Sequence, residues 1–248
     1  MATQRRAYGP SGKHLDDYRP AGAPVGTVLL WHGIGPDERD ILEPLADAMA
    51  DQGLRVLVPD WRSDAEDGGR AHLLESLTYA RSAGGPLVLV GWSAGAGAAV
   101  GVALHPDLFD GWAPTAVFGV AGRYDVPART TGVAPLDDLA AGRVPAAPVR
   151  LAHGASDSVV PVEHSRALAT ALRCAGHAVH LEEPPTDHAG VIMTEYDAEA
   201  GRCRATRDEA ALRAGVALAR EVALVCGGVG VAQGGDSSPH SRTPYLES

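Results

Sequence analysis

The segment that decides the fold is LVLVGWSAG, residues 87–95, together with the small apolar residues that follow it as far as Leu104. Residues 87–90 are apolar at every position, which is typical of a strand buried on both faces of a sheet. Residues 94–104 are almost all Ala, Gly and Val, and we expect them to form a helix that packs closely against that sheet. Ser93 therefore lies in a tight turn between a buried strand and a buried helix.

Apolar strands and amphipathic helices alternate along most of the chain. Further strands are predicted at residues 27–31, 54–58, 116–120, 149–152 and 178–182, and further helices at residues 40–52, 69–82, 163–175 and 208–225. Buried strands separated by helices indicate a mostly parallel sheet with helices on both faces, so the predicted fold class is α/β. Residues 6–20 are rich in turn residues and predict an antiparallel hairpin that leads into the sheet.

Two segments depart from this alternation. Residues 122–147 are rich in Gly and Pro, and we expect a small cap there, with a short helix near residues 136–141. Residues 227–248 are rich in Gly, Ser and Pro, and we expect a disordered tail. Residues 1–226 are thus predicted to form a single domain that carries the cap.

Composition narrows the classes of function. The chain has 248 residues, of which 45% are hydrophobic and 21% charged, as in soluble globular proteins. Its net charge of −10 disfavours nucleic acid and membrane surfaces as partners. Three cysteines without a C-x-x-C pair, and no apolar stretch at the N-terminus, favour a cytoplasmic location. We see no metal-ligand pattern and no phosphate-binding loop, and so expect neither metal nor cofactor.

The G-x-S-x-G pattern at residues 91–95 has a chemical explanation. A serine on such a turn projects its hydroxyl clear of the sheet in a strained backbone conformation, and side chains at Gly91 or Gly95 would collide with the neighbouring strand and helix. The free N–H groups of the helix N-terminus point towards an oxyanion that forms there. The alternative is a structural turn whose serine caps the helix.

The chain resembles the α/β-hydrolase-fold serine hydrolases, close to the small esterases and the dienelactone hydrolases, over roughly residues 6–225. The resemblance rests on four motifs in order: His32-Gly33, Gly91–Gly95, His153–Asp157 and Asp187-His188. Ser, Asp and His follow each other along the chain as this fold implies. Dienelactone hydrolases carry Cys as the nucleophile, and Ser93 at that position favours ordinary ester hydrolysis.

The resemblance implies a role for each residue of a catalytic triad. Ser93 would attack the substrate, His188 would take the serine proton, and Asp157 would orient His188. Asp125 remains an alternative for the acid, because it follows the preceding strand, where some proteins of this fold place it.

Two backbone N–H groups would bind the oxyanion by the same resemblance. They belong to Ala94 and to Ile34, with Gly35 as an alternative to Ile34. The sequence His-Gly-Ile-Gly at residues 32–35 departs from the H-G-G-G pattern of one lipase and esterase group. His32 itself is expected to orient this loop without titrating in the mechanism.

Three aromatic residues are candidates for substrate contacts: Trp61, Trp92 and Tyr196. For Trp61, packing in the core is an equal alternative. The acidic residues of the segment 37–40 are expected to cap the helix that follows. The negative charge of the chain disfavours anionic substrates, unless Arg62 or Arg123 locally reverses the field.

The predicted function is hydrolysis of a small-molecule carboxylic ester with a small or medium acyl group through an acyl-enzyme. Alternatives are an acyltransferase, a thioesterase or a lactone hydrolase on the same scaffold, and a ligand-binding homologue without catalysis.

Overall fold

The central strands are buried at every residue, as their unbroken apolar runs predict. This is seen in the computed structural model, which describes residues 2–232 and, of these, the side chains of residues 3–228. The strands are β1 Ala2–Tyr8, β2 Lys13–Arg19, β3 Gly26–Trp31, β4 Leu54–Pro59, β5 Leu87–Trp92, β6 Ala116–Val120, β7 Val149–Ala152, β8 Val179–Glu182, β9 Thr194–Asp197 and β10 Arg202–Ala205. The α-helices are α1 Glu43–Asp51, α2 Arg70–Arg81, α3 Ala94–Leu104, α4 Pro135–Ala140, α5 Glu163–Cys174 and α6 Glu209–Ala232.

Eight of these strands form one sheet in the order β1-β2-β4-β3-β5-β6-β7-β8. Strands β3 to β8 are parallel to one another, whereas β1 and β2 pair antiparallel and β2 pairs antiparallel with β4. The predicted α/β class and the predicted antiparallel hairpin are both confirmed. Strand β5, which leads to Ser93, lies near the middle of the sheet, where its carboxyl end is held by neighbours on both sides.

Two hydrophobic cores lie on opposite faces of the sheet because successive side chains of a strand point to opposite faces. In β3, Leu29 and Trp31 pack with helices α2, α3 and α5, whereas Val28 and Leu30 pack with helices α1 and α6. Helix α3 contributes ten buried residues, and all of them are Gly, Ala, Val or Leu. These small side chains let its backbone lie close behind the Ser93 turn.

The helix predicted at residues 40–52 is divided. Residues Asp40–Leu42 form a 3-10 turn, and the α-helix begins at Glu43. Pro44 explains the boundary, because proline is tolerated in the first turn of a helix but disrupts a helix that continues through it.

Two further elements differ from the prediction. Helix α6 continues to Ala232, past residue 227 where the tail was predicted to begin, and the remaining residues of the predicted tail, 233–248, lie outside the described residues. Strands β9 and β10 form a separate antiparallel hairpin that the sequence pattern did not predict. Their short, highly charged sequences lack the apolar runs on which the other strands were recognised.

Candidate active site

Ser93 lies on a strained turn between β5 and α3. Its backbone has φ 55° and ψ −117°, a conformation with positive φ that a residue with a side chain rarely adopts. The turn is held in place because the Ser93 N–H donates a hydrogen bond of 2.8 Å to the carbonyl of Val120 in the neighbouring strand β6. The strained turn and the adjacent strand together fix the position of the serine.

The two glycines of the turn are required by close backbone contacts. A Cβ on Gly91 would overlap the carbonyl group of Gly95, and a Cβ on Gly95 would lie 2.6 Å from the carbonyl oxygen of Trp31. Such contacts with backbone cannot be relieved by a side-chain rotation. The structure therefore accounts for the glycine at each end of the G-x-S-x-G motif.

His188 follows strand β8 and contacts the carboxylate of Asp157. The distance from His188 Nδ1 to Asp157 Oδ2 is 2.7 Å, and the Asp157 side chain is fully buried. The other carboxylate oxygen accepts backbone N–H groups from Val159 and Val160 at 2.9 and 2.8 Å. Burial alone would raise the pKa of Asp157, but these hydrogen bonds and one from His153 hold that pKa well below its usual range.

Asp125, the alternative acid, lies elsewhere. Its carboxylate is paired with Arg123 at 2.7 Å and with His164 at 3.3 Å, and it is largely exposed. Of the two carboxylates considered from the sequence, Asp157 is the one that contacts His188.

Trp92 places His188 next to the serine turn. The indole N–H of Trp92 donates to the carbonyl of His188 at 3.0 Å, and the two ring centroids are 5.0 Å apart. Among the described residues, Ser93 and His188 do not themselves share a hydrogen bond. In active sites this bond is often long until substrate binds.

The two predicted oxyanion donors lie at the same cleft. Ile34, Ser93 and Ala94 all line it, and Ala94 is the first residue of helix α3. The alternative donor, Gly35, gives its N–H to Glu38 Oε2 at 3.1 Å, so Ile34 is the better second donor. The side chain of Ile34 is 62% exposed, at the mouth of the cleft.

Side chains hold the loop that carries Ile34. The carbonyl of His32 accepts the indole N–H of Trp61 at 3.2 Å, and the carbonyl of Gly33 is 3.0 Å from His32 Nδ1. The carbonyl of Ile34 accepts a hydrogen bond from the hydroxyl of Ser63. Three consecutive carbonyl groups are thus anchored, which fixes the direction of the intervening N–H groups.

Glu38 in this loop and Ser63 after strand β4 hold the loop, and sequence reasoning missed both. Glu38 was expected to cap a helix, but its carboxylate holds the loop through Gly35 and lies 3.9 Å from His32 Nδ1. Burial raises the pKa of Glu38. The three-residue spacing from Gly35 to Glu38 is the one signal for this contact in the sequence.

None of the three aromatic candidates lines the cleft. Trp61 is fully buried and stacks on His32 with ring centroids 5.2 Å apart. Trp92 is buried against His188, and Tyr196 is 63% exposed on the hairpin strand β9. In both tryptophans the indole N–H is satisfied by a backbone carbonyl, so these rings support the site from behind.

The cleft has a volume of about 740 Å³ and is bounded partly by the segment 122–147. Its apolar side chains include Val126, Pro127 and Val160. Its charged side chains are those of Asp67, Arg70, Arg123 and Arg129.

Among the described residues, no group of three or more His, Cys, Asp or Glu side chains is arranged to hold a metal ion. No helix in the same part of the chain is long and apolar enough to span a membrane.

Solved structures match this chain in fold, although no protein-family model and no curated protein matches its sequence. An esterase from Thermogutta terrifontis matches with a TM-score of 0.70 at 18% identity, covering 91% of this chain and 92% of the esterase. An esterase domain from Rhodothermus marinus gives 0.62 at 16% identity, covering 90% and 98%. An esterase/lipase from an uncultured bacterium gives 0.67 at 13% identity, covering 91% and 85%. The chain therefore has the α/β-hydrolase fold.

The buried state of His32 predicts a pH dependence of stability. Burial lowers the pKa of His32 to about 4, whereas an unfolded histidine has a pKa of about 6.5. As the pH falls from about 6.5 towards 4, the unfolded chain binds a proton that folded His32 does not, so stability is lost. At pH 5 this loss is about 2 kcal/mol.

Urea unfolding of the native protein and of His32→Gln at pH 7.5 and pH 5 measures this contribution. The loss of unfolding free energy between the two pH values should be about 2 kcal/mol smaller in the variant. His180→Gln, at an exposed histidine of β8, is the matched control and should behave like the native protein. An equal loss in His32→Gln and the native protein would contradict the prediction.

Proposed function

We propose that this protein is a serine hydrolase that cleaves a carboxylic ester with a small or medium acyl group through an acyl-enzyme. The observation that carries the proposal is the 2.7 Å contact between His188 and buried Asp157 beside the strained Ser93 turn. A structural turn with a capping serine does not account for it, because Ser93 makes no side-chain cap bond to helix α3.

The proposed reaction has two stages. Ser93 attacks the ester carbonyl while His188 takes its proton and then passes it to the departing alcohol. The N–H groups of Ala94 and Ile34 stabilise the oxyanion, and Asp157 stabilises the imidazolium. Water then enters, His188 takes one of its protons, and the resulting hydroxide releases the acid from Ser93.

The structural neighbours agree with a short acyl group. The Thermogutta terrifontis esterase has been solved with propionate bound and also phosphorylated by paraoxon. In the present chain, the apolar side chains at the cleft suit a short hydrocarbon chain.

The charged side chains that line the cleft are mostly positive, whereas the chain as a whole has a net charge of −10. Arg70, Arg123 and Arg129 oppose a single lining carboxylate, Asp67, which already accepts the N–H groups of Gly69 and Ala71. Arg123 lines the cleft but is paired with Asp125, and Arg62 pairs with Asp64 outside the cleft lining.

Arg129 is the arginine best placed to meet an anionic group. It is half-buried, donates to the carbonyl of Gly68 at 3.1 Å, and has no carboxylate partner within residues 3–228. We therefore expect esters that carry an additional carboxylate to be accepted, despite the overall charge of −10.

Replacing Ser93 by Ala tests the nucleophile. The variant should hydrolyse 4-nitrophenyl butyrate with a kcat lower by roughly 10⁶, because no acyl-enzyme can form. A fluorophosphonate probe should label the native protein and not the variant. Ser156→Ala, at an exposed serine of the neighbouring loop, is the control and should keep both properties. Turnover near the native rate in Ser93→Ala would refute the proposal.

Asp157→Asn and Asp125→Asn distinguish the two acids. The first change should lower kcat by about 10⁴, since the amide favours the wrong tautomer of His188. The second should leave kcat within about twofold, since Asp125 pairs with Arg123 and His164 at the surface. The kinetics of both variants on the same ester give the answer, and a larger loss in Asp125→Asn would reverse the assignment.

The charge at the cleft predicts a preference for esters that carry an additional carboxylate, and we expect Arg129 to bind that carboxylate. The ratio of kcat/KM for the 4-nitrophenyl monoester of succinate to that for 4-nitrophenyl butyrate should fall about fivefold to tenfold in Arg129→Gln. Arg62→Gln, at an arginine that pairs with Asp64, should leave the ratio unchanged. If the two variants lower the ratio equally, the effect is one of overall charge and the role of Arg129 is wrong.

A further inference from the structure

His153 is a buried histidine that the proposed reaction leaves unused, and it contacts the same carboxylate oxygen as His188. His153 Nε2 lies 3.1 Å from Asp157 Oδ2 and 2.7 Å from the carbonyl oxygen of Val160. His188 Nδ1 approaches the same Asp157 oxygen at 2.7 Å. Asp157 Oδ2 thus lies between two imidazole rings, of which His153 is fully buried and His188 borders the serine turn.

The neighbours of His153 determine which of its nitrogens carries hydrogen. Nε2 faces two acceptors, a carboxylate and a carbonyl, so it must be the donor. Nδ1 is 2.7 Å from the hydroxyl of Ser165, which is also buried and can donate to it. This arrangement satisfies both nitrogens of a neutral ring, so no second charge has to be buried beside Asp157.

A neutral donor does not cancel the negative charge of Asp157. Its N–H group does occupy part of the hydrogen-bonding capacity of the carboxylate. A hydrogen bond to a carboxylate favours its charged form and weakens its attraction for a further proton. The imidazolium of His188 depends on that attraction for its stability. His153 and His188 contact the same oxygen atom of Asp157, so a change in the charge or orientation of that oxygen caused by His153 also affects His188.

We propose that His153 is a positioning residue of the site, a neutral Nε2–H donor that orients Asp157 and sets the proton affinity of His188. This proposal rests on the proposed function, since His188 is assigned there as the base. His153 itself touches neither the cleft nor the substrate.

Substitution of His153 removes none of the other charged groups around these residues. Glu38 faces His188, and Glu183, which is paired with Arg166, faces His153. Asp187 precedes His188 in the chain, and its carboxylate accepts the N–H of Gly190. Tyr124 lies beside Ser165, and burial raises the pKa of its phenol, so it stays neutral. A change in the titration of His188 on replacing His153 is thus attributable to the lost hydrogen bond.

The test compares His153→Leu with His153→Gln. Leucine removes the donor, whereas the glutamine amide can donate to Asp157 again. The acid limb of kcat/KM against pH for 4-nitrophenyl butyrate should move up by about half to one pH unit in His153→Leu. The reason is that the Asp157 carboxylate, with one hydrogen-bond donor fewer, stabilises the imidazolium of His188 more strongly. In the same variant kcat should fall about tenfold, since Asp157 loses its orientation. His153→Gln should recover most of both properties.

Rates are expressed per site labelled by the fluorophosphonate probe, so that misfolded protein does not count. His164→Gln, at the neighbouring and partly exposed histidine of α5, is the matched control and should keep the native profile. A lower melting temperature in His153→Leu with an unchanged acid limb would show a merely structural role and overturn the proposal.

A second measurement applies even if the leucine variant does not fold. In ¹⁵N NMR spectra of the native protein at pH 7, His153 should show the neutral ring with its proton on Nε2. A charged His153 ring at pH 7 would contradict the proposal. Failure of the proposed function is a separate outcome, because it would appear as an unlabelled, inactive native protein.

Discussion

The close approach of backbone to backbone at residues 91–95 is the constraint on which the rest of the site depends. Gly91 faces the carbonyl of Gly95, and Gly95 faces the end of strand β3 at Trp31, so neither position admits a Cβ. This contact draws the N-terminus of helix α3 against the sheet and forces Ser93 into its positive φ. The strain is sustained because β5 lies between two parallel neighbours whose hydrogen bonds fix both sides of the turn.

Around that turn, polar groups of the backbone are held by side chains from distant parts of the chain. Trp61 and Ser63, beyond strand β4, anchor the carbonyl groups of the loop after β3, and Trp92 anchors the carbonyl of His188. The two tryptophan contacts satisfy buried or partly buried polar groups that would otherwise be costly. The same contacts give the site its geometry, so stability and the proposed catalysis depend on one set of hydrogen bonds.

Much of the architecture was predictable because it depends on local patterns. Unbroken apolar runs identified the central strands, and the helix at residues 94–104 and the strands at residues 116–120 and 149–152 have the predicted bounds. The hairpin of β9 and β10 was missed because its charged residues carry no such pattern. The burial of Trp61 and Trp92 and the exposure of Tyr196 were not predictable, because a position near a strand end does not determine how deeply a side chain is buried.

The sequence by itself determined the α/β class, the glycine-flanked serine turn and the order of the candidate triad, because periodicity and short motifs are properties of neighbouring residues. Only the tertiary structure decided that Asp157, and not Asp125, contacts His188, and that a second imidazole, His153, shares the same carboxylate. Residues far apart in sequence meet only when the parallel strands align their carboxyl ends at one edge of the sheet. At that edge, differences of a few tenths of an ångström in donor–acceptor distance decide which side chains form a hydrogen bond. No sequence pattern specifies positions at that precision.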